Sequence, residues 1–307
     1  MIFLQRAGTE DHVILRYPII MLLAALIAMP AYPWQQVQGE NPLPELDEFL
    51  KELRGHLHSD RALLNHYIYA EKTTLRSLDG KGKLQSVQES VYEVYPSIDP
   101  DQTYRRLISK NGKATAPEDL AKRDREYDEK AREYRRKLKQ EGAGERERRL
   151  AREAEEKRKE DRAIDDLFRI HEVRMEGREW IDGHAAIVLS FHPRPGVKPM
   201  TDEGKILAKV VGRAWINESE YELMRIECQL IESLSRGWGL LLRLNKGAKI
   251  ELQRRKINNE IWLPVQVHFT GSGRLLLLKG INVDFTSEYS DFLKFDVETR
   301  IQFRNVQ

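Results

Sequence analysis

The sequence predicts a mainly β (α+β) protein: a large curled antiparallel sheet, or half-open β-barrel, with an N-terminal helix and a charged helical-hairpin insertion. Three observations predict it. From His66 onward, segments rich in β-branched and aromatic residues alternate with turn residues in hairpin order, enough for roughly ten strands. Residues 221–230 alternate, with Leu223, Arg225, Glu227 and Gln229 on one side and Met224, Ile226, Cys228 and Leu230 on the other. That period of two belongs to a strand with one wet and one apolar face. Finally, residues 118–162 hold 15 acids and 17 bases and almost no Gly, Pro or β-branched residue outside 141–144. Two helices with a glycine break are expected there.

Length and charge set the frame. The chain of 307 residues is long enough for a sizeable core, and its net charge of +2 gives no reason to expect nucleic acid. A lone cysteine, Cys228, excludes an intramolecular disulfide and sits on an apolar strand face, as a small buried thiol does. Arg6 and Arg16 precede an apolar run over 17–30, the length of a signal-peptide core and short of the ~20 residues that span a bilayer. An exported chain is expected, periplasmic or otherwise in the cell envelope. No cysteine stands directly after the run, so a lipid anchor on an N-terminal cysteine is not expected. The expected organisation is a signal peptide and spacer over 1–40, a sheet domain over 41–116 plus 165–307, and the insertion over 117–164.

Taken in order, Leu46, Phe49, Leu50, Leu53 and Leu57 repeat at helical spacing and define one amphipathic helix. Residues 67–76 and 84–95, joined by the Asp79-Gly80-Lys81-Gly82 turn, are two strands, and 104–109 is a third. Past the insertion, 167–174 and 177–180 are candidate strands. Residues 185–191 are apolar on both faces and therefore expected at the centre of the sheet. A short helix is expected within 201–211. The meander ends with strands over 248–256, 261–269 and 276–289, separated by turns at Asn258-Asn259 and Gly271-Ser272-Gly273.

No catalytic set emerges. Nucleophile-elbow, zinc-protease and phosphate-loop patterns are absent, and the eight histidines are scattered. His56 and His58, two apart on a helix, point to different faces and cannot share a metal. Neither enzyme activity, cofactor nor metal is expected.

Two motifs carry a resemblance. Trp215-Ile216-Asn217, followed by Tyr221 and Arg225, resembles a tryptophan–isoleucine–aspartate hairpin, with Asn217 in the aspartate position. Trp262-Leu263-Pro264 resembles the strand that follows it. Both are similar to bacterial periplasmic outer-membrane lipoprotein-sorting proteins of the LolA/LolB-like superfamily, over residues 46–107 and 168–295. The resemblance implies an incomplete barrel with helices across its mouth and an apolar face that receives acyl chains of a lipid or lipoprotein. Candidate lipid-binding residues on that face are Ala185, Ile187, Leu189, Phe191, Met224, Ile226, Leu230, Val265, Val267 and Phe269. Trp238, Leu240, Leu241, Leu242, Leu275, Leu276, Leu277 and Leu278, flanked by basic residues, are rim candidates for membrane-surface contact. The other reading is a non-enzymatic envelope scaffold with a packed interior, which docks a protein partner through the charged arm.

Overall fold

The computed structural model describes residues 42–57, 63–96, 103–236, 242–275 and 279–295. The expected signal peptide lies outside them. Four helices are described: α1 (Leu46–His56), α2 (Pro117–Gln140), α3 (Ala143–Ile170) and α4 (Asp202–Leu207). The strands before the insertion are β1 (Tyr67–Leu78), β2 (Leu84–Tyr95), β3 (Tyr104–Lys110) and β4 (Lys113–Ala114). After it come β5 (His171–Ile181), β6 (His184–Pro193), β7 (Val210–Asn217), β8 (Leu223–Leu230), β9 (Leu234–Arg236) and β10 (Leu242–Leu244). The last three are β11 (Lys249–Ile257), β12 (Ile261–Leu275) and β13 (Lys279–Lys294).

All thirteen strands form one curled antiparallel sheet that does not close, with β9 and β10 branching from β12. Its order is β4-β3-β2-β1-β13-β12-β11-β8-β7-β6-β5. The N-terminal and C-terminal parts meet at a single joint, β1 against β13, with registers such as Thr73↔Ser287 and Leu75↔Phe285.

The resemblance motifs do structural work. Asn217 is buried, and its Oδ1 accepts from the Ser219 and Glu220 backbone N–H groups at 3.0 and 2.9 Å, closing the β7–β8 turn. Trp215 donates from Nε1 to Glu179 at 2.7 Å and lies 5.0 Å from both the Arg213 and Arg225 guanidinium groups. Trp262 donates to Glu220 at 2.7 Å. Pro264 sits where the β11–β12 register slips, a position that tolerates a missing N–H.

Three expectations change. Residues 167–170 are the last turn of α3 rather than strand, because Asp166 is fully buried there. It accepts from the Met200 and Thr201 backbone N–H groups at 2.8 and 2.7 Å and from the Thr201 hydroxyl at 2.7 Å. Burial opposes the Asp166 charge, but Arg169 and these donors outweigh it and hold its pKa below the ordinary value. Gly271-Ser272-Gly273 is not a turn, since β12 runs through it. A Cβ on Gly273 would lie 2.0 Å from the Arg243 carbonyl oxygen, so the glycine admits the β10 backbone. Residues 185–191 lie in β6, one strand from the border, yet Ala186, Ile187, Val188 and Leu189 are all buried.

The charged insertion is helical on both sides of Glu141–Gly142, but α2 and α3 do not pack along each other. α2 rests on β3, and α3 on β5 and α4. Tyr104 stacks on Tyr127 with centroids 4.3 Å apart, and buried Arg106 grips Asp124 at 3.0 and 3.1 Å. The chain thereby passes from one border of the sheet to the other.

Gly212 tests how tightly the sheet is packed: a Cβ there would meet the Glu227 carbonyl oxygen at 2.3 Å and the Phe191 ring at 2.7 Å. Gly212→Ala is expected to cost about 1–3 kcal/mol in urea unfolding. Gly55→Ala, where nothing lies within 4 Å, is expected to be neutral or stabilising by up to about 1 kcal/mol.

Candidate functional site

The face of the sheet that carries α1 is the candidate site. α1 forms because its apolar residues share one stripe and its ends are satisfied. The Glu45 carboxylate accepts from the Glu48 N–H at 2.9 Å, acids occupy the first turn, and Arg54 and His56 occupy the last. Phe49 and Leu53, 2% and 5% exposed, press that stripe onto β6, β7, β8 and β11.

Seven of the ten face candidates come together here. Ile187, Leu189, Ile226 and Leu230 are buried in the cluster under α1, while Phe191, Val267 and Phe269 are half-buried against it. Cys228, 1% exposed, belongs to the same cluster. Met224 does not: it packs with Ala186, Val188, Trp215 and Trp262 on the opposite face. The register slips between Trp215 and Ile216, so Met224 is the extra residue of a bulge and the alternation reverses there. Ala185 is half-buried at the start of β6, and Val265 is skipped in the β11–β12 register; neither joins the cluster. Of the rim candidates, Leu242 and Leu275 are opposite each other in the β10–β12 ladder. Trp238, Leu240, Leu241, Leu276, Leu277 and Leu278 lie outside the described residues.

Beyond Phe269 the apolar face continues without the closure that α1 gives it. Phe269 stands directly opposite Phe285, Phe285 opposite Leu75, and Val283 opposite Gly271. Ile281 extends the row opposite Gly273, and Leu75, Ile281, Val283, Phe285 and Phe269 are all only half-buried. Sequence reasoning missed four of these five. The signal was present as the period-two run Ile281, Val283, Phe285, with small residues around it.

In the other direction the face turns aromatic and polar. Tyr67, Tyr69, Tyr92 and Tyr289 pack with Leu64, Val94 and Leu263, and Val267 touches both this cluster and the one under α1. A buried Glu71 carboxylate sits among them, accepting from Arg105 Nε at 2.9 Å and from the Ser287 hydroxyl at 2.9 Å. The Arg105 guanidinium lies 4.0 Å over the Tyr92 ring. Burial works against the Arg105 charge, but Glu71 overcomes it and keeps its pKa above the ordinary value. Burial, reinforced by Glu71, pushes the Tyr69 phenol well above its ordinary pKa.

The inner face under α1 is filled by side chains. Two surface hollows lie elsewhere: about 650 Å³ at the α2–α3 elbow, and about 230 Å³ lined by Lys246, Lys249, Thr270 and Asn282 among others. Among the described residues no group of three or more His, Cys, Asp or Glu side chains is placed to hold a metal. No helix among them is long and apolar enough to cross a membrane.

No protein-family model matches the chain, and no curated protein is similar to it in sequence. Solved structures similar to it include a domain assigned to outer-membrane lipoprotein sorting from Vibrio parahaemolyticus, 10% identical, TM-score 0.30, covering 82% of this chain and 93% of that one. A LolA-superfamily protein from Nitrosomonas europaea is 12% identical, TM-score 0.24, covering 82% and 94%. The MucA/MucB complex of Pseudomonas aeruginosa is 10% identical, TM-score 0.22, covering 79% and 93%.

The Glu71–Arg105 pair generates a prediction. Glu71→Gln would leave the half-buried Arg105 guanidinium without its counter-charge and is expected to destabilise the fold by about 2–3 kcal/mol in chemical denaturation. Replacing both residues by methionine is expected to cost less than that single change, because no unpaired charge remains.

Proposed function

We propose that the chain is a non-enzymatic envelope carrier or receptor that shelters an acyl chain of a lipid or lipoprotein on the inner face. The observation that carries this reading is the half-buried row Leu75, Phe285, Phe269, Val283 and Ile281, continuous through Phe269 with the cluster under α1. A monomeric chain that needs only a core has no reason to align two phenylalanines and three aliphatics along an incompletely covered wall.

Magnitudes then say how the face is used. Each buried methylene contributes about 0.8 kcal/mol, so about ten methylenes half covered by the open row yield about 4 kcal/mol. That corresponds to an affinity of only about 1 mM. Useful binding therefore requires the tail to run on under α1, exchanging the contacts of Phe49 and Leu53 for its own. The helix suits that role: its buried face meets the sheet through apolar side chains, while its polar ties are peripheral, Arg54–Asp165 and His56–Glu222 near its C-terminal end and an Arg178 donation to the Pro42 carbonyl ahead of it. An apolar tail replaces such contacts without stranding a polar group.

The filled cluster under α1 is the observation that favours the second reading, a scaffold whose interior is its own core. Fluorescent fatty-acid titration of delipidated protein separates the two. The carrier reading expects saturable binding, weakened at least about tenfold by Phe285→Asp or Leu75→Asp with the far-UV circular dichroism unchanged, since a carboxylate on that wall must be desolvated. A wild-type protein that binds no fatty acid would overturn the carrier and leave the scaffold.

A further inference from the structure

The charge of the helical insertion is balanced only as a total. Residues 130–152, the halves of α2 and α3 nearest their elbow, hold ten bases and four acids, a net of +6. The roots are the reverse: residues 117–129 carry a net of −3 and 153–170 a net of −2. In α3 pairing follows the same division, whereas at the α2 root Lys122, Arg123 and Arg125 are exposed and form no ion pair among the described residues. Near the roots Arg158 and Arg162 both engage Glu155, and Lys159 engages Glu156. At the elbow Lys137 is held by Glu133, and Arg149 is clamped between Glu141 and Glu153. Arg135, Arg136, Lys139, Arg146, Arg148 and Arg152 are exposed and form no ion pair among the described residues.

An apolar element lies among these cations. Leu150 is 48% exposed, and it lines the open hollow at the elbow together with Ala143, Ala151, Arg146, Glu147 and the Glu141 that holds Arg149. The Arg149–Glu141 contacts, at 2.9 and 3.0 Å, fix the angle at which the patch is presented. An exposed leucine on a helical elbow of net positive charge suits a headgroup layer, where the apolar group enters the interface and the cations meet phosphates. A nucleic acid would need its phosphates followed along a continuous basic stripe. Here acidic roots confine the positive charge to about 15 Å of each helix, which favours a surface met end-on.

We propose that the α2–α3 elbow docks this protein on an anionic bilayer surface, while the acidic roots hold the rest of the arm off it. The proposal does not rest on acyl-chain binding by the inner face.

Flotation with lipid vesicles tests it. The full chain is expected to float with vesicles of phosphatidylcholine and phosphatidylglycerol, not with phosphatidylcholine alone, and to be released in high salt as screening shortens the field. A variant carrying Arg135→Glu, Arg136→Glu, Arg146→Glu and Arg148→Glu is expected to partition at least about tenfold more weakly. The same charge change at the roots, Lys122→Glu, Arg123→Glu, Arg125→Glu and Lys157→Glu, should leave flotation largely intact. Equal flotation with both vesicle types, none with either, or an elbow variant that floats like the wild type would each overturn the proposal. So would tight retention of a DNA duplex by a protein that does not float. Unchanged fatty-acid titration by the elbow variant keeps this result separate from the fate of the carrier reading.

Discussion

Everything on the inner face depends on the pairing of β1 with β13. These strands lie about as far apart in the described sequence as two strands can, yet they run side by side from Tyr67↔Lys294 to Ser77↔Val283. Without that ladder the chain would be two fragments, β4-β3-β2-β1 and the remainder. The ladder sets Leu75 opposite Phe285 and brings the Ser287 hydroxyl to Glu71, so both the open wall and part of the hydrogen bonding of the buried carboxylate are products of one long-range contact. Such a joint carries a large loop-closure entropy before any contact rewards it. The hydrogen bonds of the ladder and the aromatic contacts around Tyr69, Tyr289 and Phe292 have to offset that cost.

An open sheet of this size has two borders, and unpaired borders invite association with other chains. The insertion addresses both. α2 lies against β3, next to the two-residue β4, and α3 runs directly into β5 at the far border. β5 adds its own protection through a register slip before Gly177 and charged residues at Glu172, Arg174, Glu176 and Arg178. The charged helical insertion is therefore also the means by which the fold remains open without exposing continuous edges.

How much of this was legible follows from what each signal depends on. Helix α1 and the hairpin meander rest on local periodicity, and the sequence carries that openly. The residues under α1 were found because strand alternation is regular over 226–230. Met224 was misplaced because a single bulge reverses the alternation, and nothing local announces a bulge. Gly271 and Gly273 read as turn residues, whereas their role is to admit the β10 backbone and the Phe269 ring, a requirement set by distant residues. The last turn of α3 looked like strand because the donors that hold Asp166 come from Met200 and Thr201. The charge division along the arm was visible in the sequence, but a total over the segment conceals it.

The sole thiol of the chain has a consequence of its own. Cys228 is sealed beneath α1, so no reagent reaches its sulfur while the helix is seated. Its modification rate is consequently a native clock for how often that helix lifts, requiring neither an attached dye nor an engineered residue. The same burial shields the thiol from oxidants, so its oxidation too waits on each opening of the helix.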